Sequence, residues 1–137
     1  MGKNIKEVMT TDVRACEPNA TVADAAKLMA TEDVGPIPVV EEGRIFGLVT
    51  DRDIVVRVVA EGKDPKTTRV SEIASKDLVT ISPDEDLDEA LRVMAERQVR
   101  RLPVVEGDRL VGIVAQADVA RIGKDKKTGE VVEEISR

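Results

Sequence analysis

The order of apolar and polar positions predicts a helix, a hairpin and a second helix in the first half of the chain. Apolar residues recur at helical spacing after Thr21, and Asp24 follows it by three positions, a pairing typical of a helix start. Two apolar runs on either side of residues 41–44 predict a β-hairpin. The next helix is predicted to begin at Thr50, with Asp53 three positions later and an apolar run behind it.

This pattern returns at a constant offset of 65 positions. Gly47 corresponds to Gly112, and the predicted strand 37–40 corresponds to 102–105, with proline second in each. Internal repeats take precedence over other fold reasoning. The sequence therefore predicts an α+β fold of two β-α-β-β-α units with small mixed sheets, packed about a pseudo-twofold axis.

The repeat also sets the expected domain boundaries. Repeat 1 is predicted over residues 5–62, a linker over 63–70 and repeat 2 over 71–122, with a first short strand at 13–16 and at 78–81. Since units of about 60 residues are marginal alone, the halves are expected to share a core. The tail 123–137 lies outside the repeat, and its apolar residues predict a short docking helix: Val131, Val132 and Ile135.

Composition narrows the function. The chain has 137 residues, a net charge of −6 and 1% aromatic residues, which argues against nucleic-acid binding. It lacks an apolar stretch near the ~18 residues of a membrane span and a signal-peptide core, so a cytoplasmic location without membrane contact is expected. The single cysteine, Cys16, suits a reducing compartment and is predicted to be a half-buried small hydrophobe rather than a redox sensor.

Catalysis is not expected. Histidine, tyrosine and tryptophan are missing from the sequence, and it shows neither a nucleophile–base pair nor a phosphate-binding loop with its lysine. We therefore predict no enzyme activity, no catalytic residues, no metal site and no cofactor.

The junction at Thr50 and Asp53 is the strongest candidate for chemistry. A strand is predicted to end and a helix to begin within four residues, which directs main-chain N–H groups, a hydroxyl and a carboxylate to one point. A carboxylate there could accept hydrogen bonds from two adjacent hydroxyls, as on a ribose. The alternative is that the pair only caps its helix.

Two copies of a hydrophobic-Pro-Val-Val strand and a Gly-x-x-Thr-x-x-Asp junction, in β-α-β-β-α order, resemble a tandem pair of cystathionine β-synthase (CBS) domains, or Bateman module. The resemblance covers about residues 5–122. Residues 49–55 are similar to the small stand-alone bacterial and archaeal pairs, including the hypoxic-response type. The resemblance implies binding of AMP, ADP, ATP or S-adenosylmethionine in clefts between the repeats.

The resemblance also implies roles for particular residues. Asp53 and Thr50 are expected on the ribose. Arginine suits phosphate because its planar fork binds two oxygens. The alternative for the two arginines before the second Pro-Val strand is that they are surface charges paired with carboxylates. The remaining expected contacts of this main cleft are Arg100 and Arg101 on phosphate and Ser75, Leu78 and Val79 beside the base.

The second cleft is expected to be weaker. It keeps Asp118, but Ala115 replaces the threonine, and the positions matching the two arginines are Gly35 and Pro36. We expect one good nucleotide site per chain, with the Asp118 cleft empty or holding a less charged ligand.

These expectations combine into a non-enzymatic energy or metabolite sensor that binds an adenosine-containing nucleotide and acts on an unknown effector protein in trans. The alternative is a ligand-free module for dimerisation and protein interaction. Either way a homodimer is expected, since residues 54–59 hold more apolar side chains than one helix face needs. The resemblance implies that this dimer is a disc of four CBS repeats.

Overall fold

The computed structural model describes residues 3–125, and side-chain environments through Arg121. The fold is α+β, as predicted, and it divides into two compact units. The repeat-1 unit is Arg14–Leu78, and the repeat-2 unit joins the residues up to Val13 to those from Val79 onward. The predicted docking residues Val131, Val132 and Ile135 lie outside the described residues.

The repeat-1 unit contains one helix, one hairpin and a second, shorter helix. Their bounds are α1 Val22–Glu32, β1 Ile37–Glu41, β2 Arg44–Val49 and α2 Asp51–Ile54. Thr21 caps α1 by accepting a hydrogen bond from the Asp24 N–H at 3.1 Å. The hairpin turn places Glu42 and Gly43 at φ 53° and 82°, and positive φ at both central residues suits the twist of a two-residue hairpin.

The repeat-2 unit has the same order of elements. Its elements are α3 Leu87–Arg97, β3 Arg101–Glu106, β4 Arg109–Ala115 and α4 Gln116–Asp125. Asp86 caps α3 through a 2.9 Å hydrogen bond from the Glu89 N–H. Both hairpins are antiparallel and shift register at the same place, between Val39 and Val40 and between Val104 and Val105. The two register shifts lie 65 positions apart, so the two repeats match even in this irregularity of their strands.

The predicted first strand of each repeat is reduced to a single parallel bridge. Cys16 pairs with Val39, and Ile81 pairs with Val104. Pro18 and Pro83 follow closely, and proline lacks the N–H that a longer ladder needs. Parallel bridges beside antiparallel hairpins make the pairing within each unit mixed, as predicted.

The core of each compact unit includes the segment at the start of the other unit's repeat. Ile5 and Val8, from the N-terminal arm, are buried in the core of the repeat-2 unit. Val70 and Ile73, from the start of the second repeat, are buried in the core of the repeat-1 unit. The compact units therefore differ from the repeats that are read along the sequence.

The second helix of repeat 1 changes its winding after one turn. A continuous helix is predicted from Thr50 to about Glu61, but the chain passes from α2 into a π-helical segment at Val55–Val59. The Ala60 N–H donates to the Val55 carbonyl at 2.9 Å, a five-residue spacing that is rare and often found at functional sites.

Candidate functional site

The Thr50–Asp53 junction forms a complete capping box. The Asp53 N–H donates to Thr50 Oγ1 at 3.1 Å, and the Thr50 N–H donates to Asp53 Oδ2 at 2.9 Å. Both residues are half-buried. Among residues 3–121, whose side chains the structure describes, Asp53 Oδ1 has no hydrogen bond or ion pair, so capping uses only one of the two carboxylate oxygens.

A second segment of the repeat-1 unit runs directly beside this junction. Ser75 and Leu48 exchange two main-chain hydrogen bonds, of 2.8 and 2.9 Å, and Leu48 lies two residues before Thr50. The approach is close because position 47 is glycine. A Cβ on Gly47 would lie 2.7 Å from the Ser75 carbonyl oxygen, so a larger residue would push the two chains apart.

Two further contacts fix this segment. Arg57, in the π-helical segment, donates from Nη1 to the Ile73 carbonyl at 3.0 Å. The Lys76 ammonium lies 4.4 Å from the ring centroid of Phe46, within the range of a cation–π contact. The segment 73–76 is thereby attached both to β2 and to the helix that begins at Thr50.

The Asp118 junction of the repeat-2 unit shares one hydrogen bond with the Thr50–Asp53 junction but differs in its other contacts. The Ala115 N–H donates to Asp118 Oδ2 at 3.0 Å. The other oxygen, Oδ1, lies 3.6 Å from Arg121 Nη2. The second carboxylate is thus engaged at both oxygens, in contrast to Asp53.

The predicted phosphate residues lie beside the Asp118 junction within their own unit. The Arg100 carbonyl accepts from the Gln116 N–H at 2.8 Å, and Arg101 pairs with Ala115 across the β3–β4 hairpin. Both arginine side chains are exposed, and in the part of the chain that the structure describes neither forms an ion pair with a carboxylate. The alternative that these arginines are surface charges paired with carboxylates is therefore not supported by the described residues.

The predicted site residues therefore divide between the units. Those in the repeat-1 unit are Thr50, Asp53, Ser75 and Leu78, and those in the repeat-2 unit are Val79, Arg100, Arg101 and Asp118. The structure brings Ser75 to the strand that leads into the Thr50–Asp53 junction. It brings the two arginines to the start of α4, near Asp118. The assignment of these residues to a ligand stays a prediction.

Sequence reasoning missed Arg57, for which one signal was available. It is the only charged residue in the run 54–60, and the corresponding position of the second repeat holds Ile122. Local patterns could not show that its partner is a main-chain carbonyl 16 residues further along.

Cys16 is half-buried and pairs through its main chain with β1. Burial, and secondarily the nearby Asp24 carboxylate, raise the pKa of its thiol from 9.0 to about 11. A thiol with a raised pKa is a poor nucleophile near neutral pH.

Comparison with known proteins identifies the fold. The model of the CBS domain matches residues 5–60 and again residues 70–125, which is most of the chain. The chain belongs to the CBS-domain family. It is 48% identical over 117 residues to the CBS domain-containing protein YhcV of Bacillus subtilis, covering 85% of this chain and 83% of the relative. It is 38% identical to Hypoxic response protein 1 of Mycobacterium tuberculosis, covering 85% and 82%.

Solved structures agree. A crystal structure of Hypoxic Response Protein I with two coordinated zinc ions superposes with a TM-score of 0.78 at 37% identity, covering 88% of this chain and 98% of that one. The CBS domain pair of protein MJ0100, in complex with 5′-methylthioadenosine and S-adenosylmethionine, gives a TM-score of 0.77 at 26% identity, covering 92% and 99%. These relatives place the chain among CBS pairs, as its repeat predicts. No helix within residues 3–125 is long and apolar enough to cross a membrane.

Proposed function

We propose that this CBS pair is a non-enzymatic regulatory module whose Thr50–Asp53 junction binds the ribose of AMP, ADP, ATP or S-adenosylmethionine. The observation that carries the proposal is the uncommitted oxygen of the half-buried Asp53. This residue lies in the first turn of the helix that follows β2, and β2 pairs there with a second chain segment. The MJ0100 relative, which binds two adenosine compounds, supports this ligand class.

The proposal keeps the other predicted contacts as hypotheses. Arg100 and Arg101 are proposed to meet phosphate, because both residues are exposed and make no ion pair with the side chains described up to Arg121. Ser75, Leu78 and Val79 are proposed to meet the base. Asp118 is proposed as the weaker site, since Arg121 already occupies the oxygen that a ribose would need.

The zinc of the hypoxic-response relative is not part of this proposal. The whole sequence has no histidine and one cysteine. Within the residues that the structure describes, no three His, Cys, Asp or Glu side chains are close enough to hold a metal ion.

Calorimetric titration with AMP, ADP, ATP, S-adenosylmethionine and adenosine tests the proposal. Removing a charged acceptor from two hydroxyls should weaken binding at least tenfold in Asp53→Ala, because such hydrogen bonds contribute roughly 1.5–3 kcal/mol each. Arg100→Ala and Arg101→Ala should weaken AMP and ATP more than adenosine. Asp118→Ala should change little.

The matched control is Asp24→Ala. Asp24 occupies the same capping position at α1, where the Thr21 N–H donates to its Oδ2 at 3.4 Å. Both variants lose a capping contact of about 1 kcal/mol, but only Asp53→Ala should lose affinity. If the wild-type protein binds none of the ligands, the result favours the alternative function, a ligand-free module for dimerisation and protein interaction. If Asp118→Ala rather than Asp53→Ala abolishes binding, the choice of junction is wrong.

We also propose that the module forms a homodimer. Val55, Val56 and Val59 are 58%, 44% and 66% exposed, and they are the exposed large hydrophobic residues of the part of the chain with described burial. The corresponding positions of the second repeat are Ala120, Arg121 and Lys124. An apolar patch confined to one face of one repeat fits a self-complementary contact across a twofold axis. An effector protein in trans and a cytoplasmic location stay predictions.

A further inference from the structure

We propose that Arg57 is a positioning residue for the proposed nucleotide site. Arg57 holds segment 73–75 in place relative to Asp53, and this position lets the site distinguish one base from another. This inference rests on the proposed function and adds base discrimination to it. Arg57 itself is not expected to touch the ligand.

The geometry links three pieces of the repeat-1 unit. Arg57 lies four residues after Asp53 on the same helical stretch, and its guanidinium donates to the Ile73 carbonyl at 3.0 Å. Two residues further, Ser75 is joined to Leu48 by two main-chain hydrogen bonds. The helix that carries the ribose carboxylate therefore also fixes the segment that borders the same junction.

Arg57 is one of several contacts that hold this segment. The buried side chains of Val70 and Ile73 already anchor the segment in the core, at 0% and 1% exposure. Lys76 contacts Phe46 on the other side of Ser75. Because these anchors remain when Arg57 is replaced, its loss should change the position of residues 73–75 without unfolding the unit.

The winding of the helix supports a functional reason for the contact. Arg57 is the central residue of the π-helical segment Val55–Val59, and such segments occur frequently at functional sites. The second repeat carries Ile122 at this position and also lacks the threonine of the junction. An isoleucine side chain cannot donate a hydrogen bond, so only the first repeat has both features.

The test compares Arg57→Met, Arg57→Lys and a matched control, Arg69→Met, in the full chain. Arg69 makes a similar bond from Nη1 to a main-chain carbonyl, that of Asn19, at 2.9 Å. It precedes the same segment, but its main chain pairs with Thr21 at the start of α1 rather than with β2. Calorimetry gives the affinity of each protein for AMP, GMP and ribose 5-phosphate, and thermal unfolding confirms that each variant is folded.

We expect Arg57→Met to weaken AMP binding by about tenfold, the effect of losing one charged hydrogen bond that positions the base-contacting segment. Affinity for ribose 5-phosphate should stay within twofold, so the preference for AMP over GMP should shrink. Arg57→Lys should restore part of the preference, since its ammonium can donate to the same carbonyl. Arg69→Met should retain the wild-type preference.

Equal losses for AMP and ribose 5-phosphate in Arg57→Met would indicate a purely structural role and overturn the inference. The same loss of base preference in Arg69→Met would also overturn it, because the effect would then not belong to the junction. A wild-type protein that binds nucleotide, with Arg57 variants that bind it identically, overturns this inference alone. A wild-type protein that binds no nucleotide overturns the proposed function and the inference together.

Discussion

Replacing Gly47 by alanine tests how closely the 73–76 segment must approach β2. The added Cβ would lie 2.7 Å from the Ser75 carbonyl oxygen and 3.4 Å from the Ala74 Cβ. The nearest atom belongs to the main chain, so it cannot rotate away as a flexible side chain would. The segment must move outward, which lengthens or breaks the two hydrogen bonds between Leu48 and Ser75.

The expected cost follows from these two effects. Overpacking in a well-packed region costs typically 1–3 kcal/mol, and each lost main-chain hydrogen bond costs about 1 kcal/mol. Since moving the segment relieves part of the overlap, the two costs do not add fully, and we expect the free energy of unfolding to fall by about 2–4 kcal/mol. Urea denaturation measures this change, and hydrogen exchange measures the protection of the Leu48 and Ser75 amides.

Gly62→Ala is the control. Gly62 has a φ of 72° and no atom within 4 Å of the added Cβ, so its cost is conformational alone, about 1–2 kcal/mol. It should leave both amides protected, whereas Gly47→Ala should expose them. The reasoning is refuted if Gly47→Ala costs no more than Gly62→Ala and both amides keep their protection.

Three further predictions each concern the burial or exposure of one side chain. Cys16 should react with iodoacetamide at pH 8 about a hundredfold more slowly than free cysteine, because burial raises its pKa to about 11. Burial of the neutral thiol therefore contributes to the free energy of unfolding below pH 9, and this contribution should be lost as the pH rises through 11. Ile5→Ala removes a fully buried side chain and should lower the free energy of unfolding by about 2–5 kcal/mol. Lys6→Ala removes only an exposed ion pair with Asp84 and should lower it by less than about 1 kcal/mol. Urea denaturation of both variants measures the two changes. Val59→Asp should convert a dimer to a monomer in sedimentation, and a monomeric wild-type protein at micromolar concentration would contradict the proposed dimer.

The local elements of this fold could be predicted because their signals are local. Thr21 lies directly before the helix that it was predicted to start, and Asp86, 65 positions later, lies directly before the equivalent helix of the second repeat. The hairpin strands also differ from their predicted ends by only one residue. In each case the deciding contact joins residues three or four apart, or residues on either side of a short turn.

The exchange of arms between the units could not be predicted in this way. The repeat aligns Ile5–Glu7 with Val70–Glu72, and both form a single 3₁₀ turn with a buried first residue. Because the two arms carry equivalent patterns, the sequence does not indicate which core receives which arm. The choice depends on tertiary packing, as does the position of Ser75 beside Leu48.

The capping motif by itself carries no information about a ligand. Thr21 with Asp24 and Thr50 with Asp53 form the same pair of reciprocal hydrogen bonds, yet only the second pair is proposed to bind. The difference lies in what surrounds the pair. At Thr50 a buried strand ends, a second segment is held against that strand because residue 47 is glycine, and Arg57 ties this segment to the helix that carries the carboxylate. The proposed chemistry therefore depends on the meeting of three segments that are distant in sequence, and this is why Asp24→Ala separates the contribution of the cap from that of the site.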